Sequence, residues 1–108
     1  SHAYLFVGQS QPDRCIFSVS LSTQSLEGKL RYSSASFAPT TNGRASAVYD
    51  SVEYVDQTPE AVEKSMFGSL KRKGSLGKDT IILDGGYVTV FLMPAGTGCI
   101  VIKKEVVQ

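Results

Sequence analysis

The chain has 108 residues, 42% of them apolar and 19% charged, with a formal net charge of +1. One domain around one core is the expectation at this length, and the near-zero charge gives no global field for nucleic acid or an acidic membrane. No apolar run approaches the roughly 18 residues of a membrane-spanning helix, and the balance of Ser, Thr, Gly and Gln suits a sheet protein.

Ser1-His2-Ala3 reads as the cleavage scar of an expression tag. Residues 1–3 are therefore set apart from a single α+β domain over 4–108, and the one histidine, His2, is set apart with them. Tyr4-Leu5-Phe6-Val7 is a short apolar run ending at Gly8, too short for a signal-peptide core. Gln9 to Arg14 is turn-like. From Cys15 to Ser22 the chain alternates: Cys15, Phe17, Val19 and Leu21 share one face, and Ser18, Ser20 and Ser22 share the other. That is the period of a strand with one wet side. Thr23 to Gly28 connects to Lys29–Ala38, which alternates again, so the two segments read as a β-hairpin. Pro39-Thr-Thr-Asn-Gly43 is a strong turn. Over 44–57, Val48, Val52 and Val55 fit a helical spacing, whereas Tyr49, Tyr54 and the β-branched content favour a strand, and the strand reading is preferred.

Thr58-Pro59-Glu60 predicts a helix start. Thr58 can cap the first free amides, Pro59 suits the first helical position, and Glu60 faces the positive end of the dipole. Val62, Met66 and Leu70 line one stripe, and the helix is expected to end near Gly74, after Lys71, Arg72 and Lys73. Three strands follow: Asp79–Asp84, closed by Gly85-Gly86; Tyr87–Met93, apolar on both faces and so expected to be central under the helix; and Cys99–Val107. The predicted fold is α+β, an antiparallel sheet of five to six strands with one main amphipathic helix on one face, in the order β-β-(β)-α-β-β-β.

The chemical inventory argues against an enzyme. With His2 set aside, no histidine remains to activate a Ser or Cys nucleophile or to bind a metal, and Cys15 and Cys99 are too far apart in sequence to form a zinc motif. No catalytic residue, cofactor or metal is expected. The two thiols read as buried and reduced, with a Cys15–Cys99 bridge open only if their strands are neighbours. With no Asn-X-Ser/Thr acceptor, this favours a cytoplasmic location. Gly68-Ser-Leu-Lys-Arg-Lys-Gly-Ser-Leu-Gly-Lys78-Asp79 superficially matches a phosphate loop. It has Arg72 where Gly is required and Asp79 where Ser or Thr is required, and it follows a helix instead of opening one.

The same stretch is the most polarised part of the chain. Residues 1–60 carry four basic and six acidic side chains, against seven and four in residues 61–108. Lys71, Arg72, Lys73 and Lys78 read either as a solvated helix end or as a docking patch for an acidic protein or a phosphate backbone. Ser75 follows them as a basophilic phosphorylation motif, and a phosphate there would cancel the patch.

The C-terminal half resembles the helix and last three strands of roadblock/dynein-light-chain domains. The resemblance rests on Leu76-Gly-Lys-Asp-Thr-Ile-Ile-Leu-Asp-Gly-Gly, Tyr87-Val-Thr-Val-Phe-Leu-Met-Pro-Ala-Gly and Cys99-Ile-Val-Ile-Lys-Lys, after the capped helix at Thr58. Leu83-Asp-Gly-Gly-Tyr-Val and Gly98-Cys-Ile-Val-Ile-Lys-Lys are also similar to profilin. The first resemblance implies a non-enzymatic scaffold that forms a homo- or heterodimer and docks another protein. The second implies an actin-binding protein. Neither assigns a binding residue to a position in this chain. A nucleic-acid-binding sheet module using Arg31, Arg44 and the basic 71–78 segment is the further alternative.

Overall fold

Extended backbone forms wherever β-branched and aromatic residues recur at every second position. The structure, a computed structural model, describes residues 2–7, 17–24, 28–38 and 46–107, apart from the side chains of His2 and Val7. Among these residues, β1 (His2–Val7), β2 (Phe17–Gln24), β3 (Leu30–Ala38) and β4 (Ser46–Val55) form one antiparallel meander. After helix α1 (Pro59–Met66), strands β5 (Lys71–Leu76), β6 (Thr80–Asp84), β7 (Val88–Ala95) and β8 (Gly98–Val107) form a second. β8 returns to pair antiparallel with β4, Ala47 opposite Val107 and Val55 opposite Cys99. The two meanders thereby fuse into one eight-stranded sheet of order β1-β2-β3-β4-β8-β7-β6-β5.

This corrects the expected fold. In place of an α+β fold of five to six strands around a main helix, the described chain is mostly sheet, with eight strands and one eight-residue helix. Two segments make the difference. The run at Tyr4–Val7 is part of a full edge strand on β2, and the basic run Lys71–Lys73 belongs to a strand instead of the helix end. Val62, Met66 and Leu70 do fit a helical stripe. However, Phe67 leaves helical backbone at φ −131° and ψ 32°, and Met66 faces solvent. The Leu70 amide then donates to the Phe67 carbonyl at 3.0 Å, in a turn that brings Leu70 back to the core. The residues that follow pair with the outer side of β6. Unpaired amides on a strand are costly to leave beside apolar surface, so this pairing outweighs the modest helical preference of a lysine-rich run. The ambiguous 44–57 segment is likewise strand, because β3 and β8 pair with both of its sides.

The helix starts as its sequence predicts. Thr58 Oγ1 accepts the Ala61 amide at 3.2 Å, Pro59 opens the helix and Glu60 lies in the first turn. Val62 carries the helix into a cluster with Ile81, Leu83, Val90, Leu92, Cys99 and Val101, the alternate residues on one face of β6, β7 and β8. Val55, Phe67 and Leu70 pack against its margin. β7 lies inside the sheet beneath the helix, yet only its helix-side face is buried: Phe91 on the other face is half-buried and Met93 is exposed. Gly98 is buried at the start of β8, where a Cβ would overlap the Tyr54 ring and the Val55 carbonyl oxygen.

Candidate partner-binding surfaces

The register fixes which side chains share a face. Leu5 on β1, Phe17, Val19 and Leu21 on β2, Ala35 and Phe37 on β3, and Ala47 and Tyr49 on β4 all lie on the side of the sheet that carries the helix. The helix packs chiefly on β7 and β8 and leaves this first meander uncovered. Phe17 and Phe37 stack with centroids 4.9 Å apart, and Tyr49 meets Phe37 edge-on at 6.2 Å. Leu5, Phe17, Leu21 and Tyr49 are exposed.

The opposite face of the same meander is mixed: Tyr4, Phe6 and Tyr32 are exposed on it, beside polar groups that bond one another across the strands. Ser18 Oγ and Ser36 Oγ are 2.9 Å apart, Ser20 Oγ and Tyr32 Oη 2.8 Å apart, and Ser34 Oγ donates to Asp50 Oδ2 at 3.3 Å. Lys104 Nζ lies 3.8 Å from the second Asp50 oxygen. Cross-strand pairs of this kind need only water outside them. The serine alternation in the sequence correctly marks which side chains share a face, but not a wet and a dry side: Ser18 and Ser20 are part-buried, whereas Phe17 and Leu21 on the other face are exposed.

The two edges of the sheet differ sharply. β5 is exposed along its whole length, carries Lys71, Arg72 and Lys73, and its register shifts between Arg72 and Gly74. β1 carries no charged residue among Ala3–Val7 and pairs with β2 in unbroken register. Its Tyr4, Leu5 and Phe6 are 66%, 59% and 54% exposed.

The sequence-predicted site residues thus stand on a strand edge, not at a helix end. Lys71, Arg72 and Lys73 belong to β5, Lys78 lies in the turn to β6, and Ser75 is exposed on β5. Arg72 bonds Glu63 of α1 through Nη2, and this contact raises its already high pKa. Lys73 and Ser75 line a shallow basin of about 710 Å³ with Ile82, Phe91, Lys104 and Val106 on the face away from the helix. Arg31, bonded to Glu53 at 3.2 Å, sits on β3, with β4, β8, β7 and β6 between it and the basic edge. Arg44 lies outside the described residues. The structure therefore does not bring Arg31 and the 71–78 segment onto one surface.

Cys99 is a free, buried thiol, and burial pushes its pKa up. Cys15 lies outside the described residues. Among the described residues no group of three His, Cys, Asp or Glu side chains is placed to hold a metal ion, and no helix is long and apolar enough to cross a membrane. In the sequence Tyr4, Phe6, Tyr32, Phe37, Tyr49 and Tyr54 read either as half-buried sheet residues or as an exposed partner surface, and the structure exposes all of them but Phe37; the helix-side face that Phe37 and Tyr49 share and the β1 edge were not legible there. Their signals, a charge-free apolar run and a period-two aromatic pattern, read equally well as core. No protein-family profile, curated protein or solved structure matches the chain.

Proposed function

We propose that this chain is a non-enzymatic protein-binding module, a sheet scaffold that docks a partner protein on the helix-side face of β1–β4. One observation carries the reading. A four-stranded sheet with an apolar face of Leu5, Phe17, Leu21, Phe37 and Tyr49 has no second layer in the described chain. Sheets become stable by burying such a face against another layer, and contiguous exposed apolar surface is the usual mark of an interaction site. Tyr and Phe at the centre with a polar margin, here Ser33, Ser51 and the Arg31–Glu53 pair, is the composition of a protein interface. The roadblock-type resemblance points toward the same kind of function.

Affinity capture with the purified chain, using variants on the two faces, tests this. A partner retained by the wild type is expected to be lost on Leu21→Lys and kept on Ser20→Lys, which charges the opposite face. Loss on Lys71→Glu with Lys73→Glu, and indifference to Leu21→Lys, would move the docking site to the basic edge and overturn the proposal.

A further inference from the structure

We infer that β1 is a self-pairing edge and that two copies of the chain join their sheets antiparallel through it. Sheet edges present a row of unpaired amides and carbonyls, and proteins protect them with lysines, bulges, prolines or short length. β5 has two of these protections, three consecutive basic residues and a register shift. β1 has neither: no charge or proline stands among Tyr4–Val7, and its register with β2 is unbroken. Among the described residues no strand lies beyond it.

The sequence of β1 also complements itself. A two-fold axis perpendicular to the sheet keeps like faces together, so paired positions must share a face. With the axis at Leu5, Leu5 opposes its own copy on the helix side, and Tyr4 opposes the copy's Phe6, twice, on the other side. Tyr4 and Phe6 already lie against one another within a strand at 4.8 Å between ring centroids, and cross-strand aromatic pairs are among the more stabilising contacts of a sheet. Nothing on the edge repels its copy. At β5 the same operation would oppose Lys71, Arg72 and Lys73 to each other, so growth stops at two copies and the product is a closed dimer instead of a filament.

The pairing has a consequence for docking, which rests on the function proposed above. Four strands about 4.8 Å apart and about 25 Å long offer a face on the order of 500 Å². A standard protein interface takes about 800 Å² from each partner. Joining two copies at β1 sets two helix-side apolar faces edge to edge and raises the available face to roughly 1,000 Å², enough for one partner seated across the axis.

Sedimentation of the full chain tests the pairing. The wild type is expected to rise from 11.6 kDa toward twice that mass with concentration. Tyr4→Lys, on the face away from the docking surface, is expected to weaken association at least about tenfold with an unchanged far-ultraviolet circular dichroism spectrum. Adding Phe6→Glu to it restores association, because each new lysine then faces a glutamate of the other copy. As a check independent of strand stability, Leu5→Cys is expected to give a disulfide-linked dimer under mild oxidation where the wild type does not. A strict monomer near millimolar concentration with no Leu5→Cys cross-link overturns the pairing. So does a dimer insensitive to Tyr4→Lys. Either result leaves the docking proposal standing if capture still depends on Leu21, so the two ideas fail separately.

Discussion

The two meanders of this sheet have the same topology and different fates. β5–β8 lies under a helix, and Leu83, Val90, Leu92, Cys99 and Val101 disappear from solvent there. β1–β4 alternates just as regularly, yet its apolar side keeps Phe17, Leu21 and Tyr49 exposed. Pairing strands satisfies the backbone equally in both halves, so hydrogen bonding is not what separates them. The difference is a second layer, and an eight-residue helix supplies it for one half only. The lesson is that a sheet half can be correctly paired and still be unfinished, and the unfinished half is where a partner has most to gain.

The largest effect expected from this comparison is in the covered half. Leu92→Ala removes a fully buried side chain and is expected to cost about 2–5 kcal/mol in denaturant unfolding. A cost below about 1 kcal/mol would mean the core is looser than its geometry. Thr58→Ala comes next, at about 1 kcal/mol through loss of the N-cap. Its diagnostic reading is local: amide exchange should quicken in β7 and β8 and stay unchanged in β2 and β3, since the cap holds the helix over the second meander. Leu21→Ala is expected to have the smallest effect, under about 1 kcal/mol in the unpartnered chain, because the side chain is already part-exposed. If Leu21→Ala matched Leu92→Ala in cost, the first meander would already have a cover and the comparison would collapse.

The contrast between the edges was half legible in the sequence. Lys71-Arg72-Lys73 stands out in any charge count, but its meaning depended on the element beneath it. As a helix end it is a dipole partner, and as an edge strand it is a guard against pairing. Tyr4-Leu5-Phe6-Val7 was visible only as a short apolar run and not as an edge, because nothing local tells a strand whether another strand lies on each side of it.

The amino-acid sequence by itself determined the helix start at Thr58-Pro59, the alternating strands from Phe17 to Ala38 and from Thr80 to Val107, and which side chains of the first hairpin share a face. These features depend on neighbours within a few residues: a cap, a fixed φ, a two-residue period. Tertiary structure alone decided that Lys71–Leu76 is a strand, that β8 returns to β4, and that the helix covers one meander and leaves the other open. Those outcomes depend on which distant backbone is left unpaired and which apolar face finds a second layer, and no local pattern carries that information.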